Sequence, residues 1–456
     1  MKRLFICVVG LVIAVTAWSR TFNMKELGAD PRGIESCTEL INQTIEKASS
    51  EGGGTIYFPA GVYLTATIHM KSNITLYVES GAVLRFSDRF EDYLPFVKIR
   101  WEGTVMNTLS PLIYAHDAEN LTITGRGTLD GNGFKWWSWE KETRELIKKN
   151  GGKLPALNKL QRMWEEANED LEISDYYKPS LERRMFRPPF IQFYECNNVL
   201  IENVKIVNSP FWTINPAFCD NVTVHGVTIY NPSKDPKGPN TDGINPSSCR
   251  NVRISDCFIS VGDDCITIKS GRDADGRKYG KACENITITN CVMLSGHGGV
   301  VIGSEMSGGV ENIYMDNIQI GTVKNALYFK SNRDRGGYIR NIQVSNITIE
   351  RSKGAVLRFE TNYFGFRGGR HTSQYENFRI NNVKAGCSDH YAIFIDGYEE
   401  KPIKNIEIEH FHVQKAPHPY YLRCVENICL KATFVNGQNL PEYPKKQKER
   451  VILDVY

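Results

Sequence analysis

The chain repeats one short pattern through most of its length, in which an asparagine is followed by alternating apolar residues. Two examples are Asn-Val-Leu-Ile-Glu at 198–202 and Asn-Ile-Thr-Ile-Thr at 285–289. The repeated asparagines are Asn120, Asn198, Asn221, Asn251, Asn285, Asn312, Asn341, Asn377, Asn405 and Asn427. From Asn198 onward they recur every 22 to 36 residues, and a period of this size indicates a solenoid.

Each repeat has room for strands but not for a helix. About five residues alternate between apolar and polar, then come polar or glycine-containing turns and often a second short strand, such as 227–230. A βαβ unit needs a dozen or more residues for each crossover. We therefore expect an all-β solenoid in which each coil stacks on the next, with the asparagine amides forming a ladder along one corner.

Two regions depart from the repeat. Residues 21–115 include a helical pattern at 36–48, which we expect to cap the open N-terminal end of the stack. Residues 134–188 are rich in Trp, Lys and Glu, with a second helical pattern at 160–171. We interpret this stretch as an insertion on the flank of one solenoid domain that spans residues 21–456.

The N-terminus has the pattern of an export signal. Met1, Lys2 and Arg3 precede an apolar run at 4–17, which predicts a signal peptide over residues 1–20 and a periplasmic or extracellular product. No later segment approaches the roughly 20 apolar residues that span a bilayer. The formal net charge of +3 over 456 residues suggests no nucleic-acid partner, and we expect a monomer.

The cysteines predict neither a metal site nor a dense disulfide framework. None of them forms a Cys-x-x-Cys pair, although Cys424 and Cys429 could bridge a short loop. Several others fall inside apolar strand-like runs, where we expect small buried side chains. These are Cys196, Cys219, Cys249, Cys257, Cys265 and Cys291.

Four short polar motifs follow one another at intervals of about one coil. They are Asn-Thr-Asp-Gly at 240–243, Gly-Asp-Asp-Cys at 262–265, Gly-His-Gly-Gly at 296–299 and Tyr-Phe-Lys-Ser at 328–331. The step from Asp242 to Asp264 is 22 residues, and steps of 33 lead to His297, Lys330 and Tyr363. We expect these five side chains to form one stripe on successive coils, about 4.8 Å apart. Asp263 and His297 each lie 12 residues after their own repeat asparagine, which supports this register.

Clustered carboxyl groups suit acid–base chemistry. Like charges at short range raise one another's pKa and leave one group protonated near neutrality, which supplies both the acid and the base that glycosidic cleavage needs. Asp263 and Asp264 are adjacent, so both reach one cleft only at a strand end or bulge. Each motif alone would more often be a turn, but four in coil register favour a catalytic site.

The order of these motifs resembles the polygalacturonase family, glycoside hydrolase family 28, as do Ser-Pro-Phe-Trp at 209–212 and Gly-Gly-Val-Val-Ile-Gly-Ser-Glu at 298–305. The resemblance implies a single-stranded right-handed parallel β-helix and hydrolysis with inversion. It also implies that Asp263 is the general acid and that Asp242 and Asp264 activate water. His297 would support the acid or bind substrate, while Asn240 and Lys330 would contact the sugar.

One position departs from the family pattern. The family strand usually reads Arg-Ile-Lys, whereas this chain has Tyr-Phe-Lys at 328–330, and a phenol cannot pair a carboxylate through two hydrogen bonds as an arginine does. We expect Arg333, or Arg335, to compensate. Lys269, Arg272 and Tyr363 are further candidates for sugar contacts, as is Tyr328 itself.

The resemblance predicts a metal-independent hydrolase without a cofactor that cuts pectic polysaccharide or oligogalacturonide, with exo action favoured. A rhamnogalacturonan or side-chain hydrolase on the same fold is the first alternative, motivated by the tyrosine at 328. A calcium-dependent pectate lyase and a non-catalytic carbohydrate-binding solenoid are the others. No Asp-rich calcium loop is present in the sequence, and a site for an anionic sugar would not gather carboxylates without a catalytic reason.

Overall fold

A computed structural model describes residues 20–152, 159–169, 187–232 and 237–441. Strands of successive coils pair in parallel, and together they form one sheet of 27 strands over the described residues. A parallel crossover is right-handed in nearly all known cases. The chain is a right-handed parallel β-helix, which confirms the predicted fold class.

The elements are numbered in chain order. Strands β1 to β12 are Arg20–Asn23, Arg32–Ser36, Gly54–Phe58, Gly61–Thr65, Ile68–His69, Ile74–Val78, Ala82–Phe86, Val97–Trp101, Thr104–Thr108, Ile113–His116, Glu119–Gly125 and Thr128–Asp130. Strands β13 to β22 are Ile191–Tyr194, Asn197–Glu202, Lys205–Val207, Asp220–His225, Thr228–Tyr230, Arg250–Ser255, Phe258–Ser260, Ile266–Ile268, Cys283–Thr289 and Val292–Ile302. Strands β23 to β32 are Val310–Lys330, Tyr338–Ser352, Ala355–Glu360, Gln374–Ser388, Tyr391–Asp396, Ile403–Lys415, His418–Arg423, Val425–Lys431, Phe434–Val435 and Gln438–Asn439. The helices are α1 Thr38–Ser50, α2 Phe134–Lys149, α3 Lys159–Glu166 and α4 Asp273–Tyr279, with a 3₁₀ turn at Phe90–Tyr93.

One column of apolar side chains fixes the register of the face that carries the polar motifs. Its members occupy the same position on successive coils and are buried. They are Ile68, Ile113, Ile191, Ile214, Ile244, Ile266, Val300, Leu327, Leu357 and Ile393. Because each side chain stacks on the one below it, the column holds the coils in register along the solenoid axis. We call this face the cleft face.

The asparagine ladder is confirmed, with one interruption. Every repeat asparagine has a left-handed backbone, with φ between 54° and 63°, a conformation that asparagine tolerates better than most residues. Apart from that of Asn251, each side-chain amide donates to the asparagine of the preceding coil at 2.6 to 3.3 Å. The ladder begins one coil earlier than predicted, at Asn73, which accepts from Asn120. Asn251 instead donates to Asp220 at 2.8 Å.

Asn285 offers a direct test of the ladder. Its φ is 58°, its amide donates to Asn251 at 3.3 Å, and it accepts from Asn312 at 3.2 Å. We expect Asn285→Ala to lower the free energy of unfolding by about 2 kcal/mol, because it combines left-handed strain with two lost hydrogen bonds. Asn285→Gly relieves the strain and should cost about 1 kcal/mol. Equal losses in urea unfolding would mean that the backbone conformation contributes nothing.

The predicted cap and insertion are both present. Helix α1 begins two residues later than expected and buries Ile41, Ile45 and Ala48 against the first coils. Helices α2 and α3 occupy the insertion, although 153–158 and 170–186 lie outside the described residues. So does the predicted signal peptide, except for Arg20 in β1. Nowhere in the described ranges is a helix long and apolar enough to cross a bilayer.

The strand cysteines are buried thiols, as predicted. All six predicted residues are free and buried in the core. The suggested bridge between Cys424 and Cys429 is wrong, because both are free. Cys424 follows β29 with φ at 53°, whereas Cys429 lies inside β30 opposite Glu407.

Candidate active site

Three aspartates meet at the turns that enter the cleft face. Asp242 and Asp264 each precede the apolar column by two residues, on adjacent coils. Asp263 lies with Asp264 in the turn between β19 and β20, so both members of the pair reach the cleft, as the strand-end hypothesis required. One carboxylate oxygen from each aspartate lies within 4.8 Å of the others. We call Asp242, Asp263 and Asp264 the carboxylate trio.

The surroundings of Asp263 leave one of its two oxygens available. Its Oδ1 accepts from the Asp264 backbone N–H at 3.0 Å and lies 3.2 Å from His297 Nδ1. Because both contacts use Oδ1, Oδ2 is the atom on which an acid proton would sit. His297 stands directly opposite Asp263 on the next coil and donates its backbone N–H to the Asp263 carbonyl at 2.8 Å. The predicted common offset of these two residues is confirmed.

Lys330 binds the trio from the end of β23. Its Nζ donates to Asp264 Oδ2 at 2.9 Å, and the rings of Tyr328 and Tyr363 lie 5.1 and 5.2 Å from the same nitrogen. Burial lowers the pKa of Lys330, but the Asp264 carboxylate outweighs it and holds the pKa well above its ordinary value. Lys330 is therefore a fixed positive charge between two aromatic rings.

Two members of the trio, Asp242 and Asp263, have pKa values that are shifted in opposite directions. Burial, together with the charge of Asp263, raises the pKa of Asp242 well above its ordinary value despite Lys269 nearby. Burial also raises the pKa of Asp263, but the hydrogen bond from His297, together with the charge of that ring when it is protonated, outweighs burial and lowers the pKa of Asp263. Asn245 donates to Asp242 Oδ2 at 3.0 Å. Of these two groups, Asp242 therefore holds a proton more readily when His297 is charged.

The trio is also the one group within the described ranges whose spacing could suit a metal ion. Two ammonium groups already lie beside it, since Lys330 Nζ is 2.9 Å from Asp264 and Lys269 Nζ is 3.8 Å from Asp242. A divalent cation would meet both positive charges at short range. This donor set therefore fits a proton-transfer site better than a metal site.

The prediction of one stripe at steps of 22 and 33 residues is wrong beyond Asp264. The coil that follows Asp264 adds 34 residues, which places Gly298 opposite it, and the next adds 27. Lys330 therefore stands opposite Gly303 and three residues beyond the apolar column. Residues at equal steps along the sequence do not occupy equivalent positions on successive coils, because the coils differ in length. The long lysine side chain nevertheless reaches the trio along the sheet.

A second ionic cluster lines the cleft beside Asp242. Lys269 donates to Glu305 at 2.8 Å and lies 4.5 Å from the ring of Trp212, while Arg272 pairs with Glu305 and, at 3.3 Å, with Glu102. Burial raises the pKa of Glu305, but Lys269 and Arg272 outweigh it and hold that pKa well below its usual range. Lys269 is thus placed in the cleft as predicted, with Glu305 as its partner.

The predicted role of Arg333 is wrong. Its guanidinium pairs with Glu400, with a second contact at 3.2 Å, and packs 4.5 Å from the ring of Tyr398, outside the residues that line the cleft. Arg335 does line the cleft, but it pairs with Asp273 and donates to the Ser304 carbonyl at 3.0 Å. The turn after Ser331 directs the two arginines to different neighbours.

The guanidinium closest to Tyr328 comes from the next coil and was missed. Arg358 stands opposite Tyr328 in the register, 5.7 Å from its ring, and donates to Glu360 at 3.1 and 3.0 Å. The Tyr328 hydroxyl also donates to Glu360. Aligning Leu-Tyr-Phe-Lys at 327–330 with Leu-Arg-Phe-Glu at 357–360 would have revealed this arginine.

Two more cationic residues near Asp242, Arg187 and Lys237, were missed. Arg187 is buried and donates to the Pro210 and Pro239 carbonyls at 2.8 and 2.6 Å and to Asn240 Oδ1 at 2.8 Å. Asn240 is thus in the cleft, as predicted. Lys237 lies 3.0 Å from His297 Nε2. These two residues belong to no repeated motif, because they lie next to the insertion, so the sequence pattern did not predict them.

The trio lies in a cleft of about 1070 Å³. The site residues predicted from sequence line it, with the exception of Arg333. Helix α2 contributes one wall through Glu140, Lys141 and Arg144, and the β8–β9 hairpin adds Trp101 and Glu102. Cationic side chains line the cleft on several coils; they are Lys141, Arg144, Arg187, Lys237, Lys269, Arg272, Lys324, Lys330, Arg335, Lys353 and Arg358.

Two family models match the chain. The model for glycosyl hydrolases family 28 matches residues 176–431, which include the trio, His297 and Lys330. The model described as rhamnogalacturonase A/epimerase, pectate lyase-like, matches residues 21–148. The catalytic coils and the capped N-terminal coils are thus matched by separate models.

Known proteins agree with the first match. A probable polygalacturonase of Vitis vinifera is 31% identical over 368 residues, covering 78% of this chain and 66% of the grape protein. An endo-polygalacturonase of Pectobacterium parmentieri is 28% identical, covering 76% and 80%. The crystal structure of an exopolygalacturonase from Thermotoga maritima superposes with a TM-score of 0.82 at 35% identity, covering 95% of both chains. The chain therefore belongs to glycosyl hydrolase family 28 and is a polygalacturonase-type glycoside hydrolase.

Proposed function

We propose that the protein hydrolyses the bond next to a galacturonate unit at the end of a pectic chain. The observation that carries this proposal is the carboxylate trio, held within 4.8 Å in a cleft whose lining is rich in lysine and arginine. The trio supplies an acid and a base, and the cationic lining suits an anionic sugar polymer. Lys330 and its two flanking tyrosines would bind a sugar carboxylate.

We assign the roles residue by residue. Asp263 gives the proton on Oδ2 to the leaving oxygen, and Asp242 with Asp264 orients and deprotonates the attacking water. For Asp263 to act as the acid, a proton held by Asp242 must pass to it when substrate binds, across the short distances within the trio. His297 supports Asp263 through its Nδ1, and Asn240 lines the sugar site beside Asp242.

The proposal includes inversion at the anomeric carbon, which rests on the family resemblance. Inverting enzymes usually hold the two carboxyl groups about 6.5–9.5 Å apart, and retaining enzymes about 5–5.5 Å. The closest oxygens of the trio lie within 4.8 Å, so spacing alone favours retention. A third carboxylate gives the water a second anchor, an arrangement that is compatible with inversion by direct attack.

Exo action is supported by the cleft walls and by one relative. Helix α2 and the β8–β9 hairpin both contribute side chains to the cleft, and such walls would favour a chain end over a continuous polymer. The Thermotoga structure with 95% mutual coverage is titled an exopolygalacturonase. Because the Pectobacterium relative is named an endo-polygalacturonase, the product pattern is the deciding observation.

A rhamnogalacturonan or other branched pectic glycan is the second candidate substrate. The match of residues 21–148 to the rhamnogalacturonase A/epimerase model supports it, as does Tyr328 at the position where the family usually has arginine. On this alternative the trio would keep its chemistry. The cluster of Tyr328, Arg358 and Glu360 would then bind sugar hydroxyls instead of a uronate.

We test the function by incubating the purified protein, with EDTA, with unesterified oligogalacturonides and separating the products by chromatography with mass detection. We expect saturated monogalacturonate as the first product. Mixed oligomers would mean endo action, and no cleavage, with activity on rhamnogalacturonan instead, would favour the second candidate. Unsaturated products that require calcium would indicate a lyase and overturn the proposal. We also propose that the protein acts as a monomer and that it acts outside the cytoplasm, the latter on the basis of its N-terminal sequence pattern.

A further inference from the structure

His297 lies between a carboxylate and an ammonium group. Its Nδ1 is 3.2 Å from Asp263 Oδ1, and its Nε2 is 3.0 Å from Lys237 Nζ. A lysine ammonium donates hydrogen bonds and cannot accept them. The contact with Lys237 therefore requires a lone pair on Nε2, which places the single ring proton on Nδ1, facing Asp263.

Lysine side chains approach the ring from two neighbouring segments. Lys237 approaches from the loop before Asp242, and Lys324 stands opposite His297 on the following coil, as the pairs on either side of it show. Asp263 is the carboxylate that contacts the ring, and Lys330 lies beyond it, paired with Asp264. Lys237 occupies the Nε2 lone pair, which is the position that a second ring proton would need.

We propose that Lys237 is a positioning residue that holds His297 as the neutral Nδ1–H tautomer and thereby allows Asp263 to carry the acid proton. The tautomer follows from the contacts alone, whereas its catalytic consequence rests on the proposed function. A charged His297 would stabilise the Asp263 carboxylate. A neutral one still donates a hydrogen bond but adds no positive charge, so proton transfer from Asp242 to Asp263 becomes easier.

The test compares Lys237→Met with Lys237→Arg, which keeps a cationic donor. Lys205→Met is the matched control, because Lys205 is exposed on β15 and does not line the cleft. Histidine labelled with ¹⁵N reports the protonation of each ring by NMR in the free protein, and His297→Gln identifies the His297 signal. We expect the Nδ1–H tautomer in the unmodified protein. In Lys237→Met, we expect His297 to take up its second proton at a pH about one unit higher.

The second readout is the pH dependence of kcat/KM. In Lys237→Met, a protonated His297 lowers the pKa of Asp263, so the acid form is lost sooner and the alkaline limb moves down by about one pH unit. Lys237→Arg should restore the original profile, and Lys205→Met should not move it. An Nε2–H tautomer in the unmodified protein, or an unchanged His297 titration in Lys237→Met, would overturn the proposal. If no pectic substrate is cleaved, the proposed function fails while the NMR titration still decides the tautomer.

Discussion

Asp263→Asn is expected to lower kcat on oligogalacturonides by about 10³-fold, near the middle of the range for loss of a general acid. The amide has the shape of the carboxyl group, and its oxygen can still accept from the Asp264 N–H and from His297 Nδ1–H. It cannot protonate the leaving oxygen. We therefore expect KM to change by less than about threefold. Steady-state kinetics with a reducing-end assay measures both constants.

A substrate that needs no acid provides the control for this prediction. A nitrophenyl galacturonide releases a stable anion, so Asp263→Asn should lose only about tenfold on it. Asp242→Asn and Asp264→Asn should lose activity on both substrates, because the water still needs its base. If Asp242→Asn is rescued by the activated substrate instead, the acid is Asp242. The acid would then be the carboxyl group whose pKa is raised in the free cleft.

Lys330→Met is expected to lower the free energy of unfolding by about 3–5 kcal/mol at pH 7, because it leaves the buried Asp264 carboxylate without its partner. Both side chains are more than nine-tenths buried. The raised pKa of Lys330 means that the pair contributes fully below the pKa of an unfolded lysine and loses its contribution only as pH rises through the higher folded value. Denaturant unfolding at several pH values measures the loss.

The pH dependence separates this charge effect from a packing effect. The unpaired negative charge causes the loss, so the deficit of the variant should shrink toward pH 4, where carboxylates in general take up protons. Lys330→Arg keeps the charge and should recover most of the stability, although not the geometry. A loss of less than about 1 kcal/mol at pH 7, or a loss independent of pH, would contradict the ion-pair account.

The repeat asparagines and the aspartate motifs were predictable because each is fixed by a local rule. Asn285 and its counterparts occupy a left-handed corner that recurs once per coil, so their spacing is visible in the sequence. Asp242 and Asp264 occupy the same position on adjacent coils, because the coil that separates them is 22 residues long. His297 was placed correctly by its distance from Asn285 in the same coil, a measure that does not depend on loop lengths elsewhere.

The remaining site residues depend on differences in coil length and on side-chain reach. Lys330 lies six residues along the strand from the position opposite His297, yet its long side chain reaches Asp264. Arg333 and Arg335 are two residues apart in one turn and point to different partners. The contacts of Arg187 and Lys237 arise where the insertion meets the coils, and no periodic pattern encodes such a junction.

The central claim is that a water molecule held by the carboxylate trio attacks the sugar directly. The stereochemistry of the first product is its most direct test. Real-time proton NMR of oligogalacturonide cleavage resolves the new anomeric centre before it equilibrates in solution. We predict that the first product has the anomeric configuration opposite to that of the bond cleaved. A product that retains the configuration would contradict this claim, because it would mean that one aspartate attacks the sugar and forms a covalent intermediate. The short spacing of the trio would then be the spacing of a retaining enzyme.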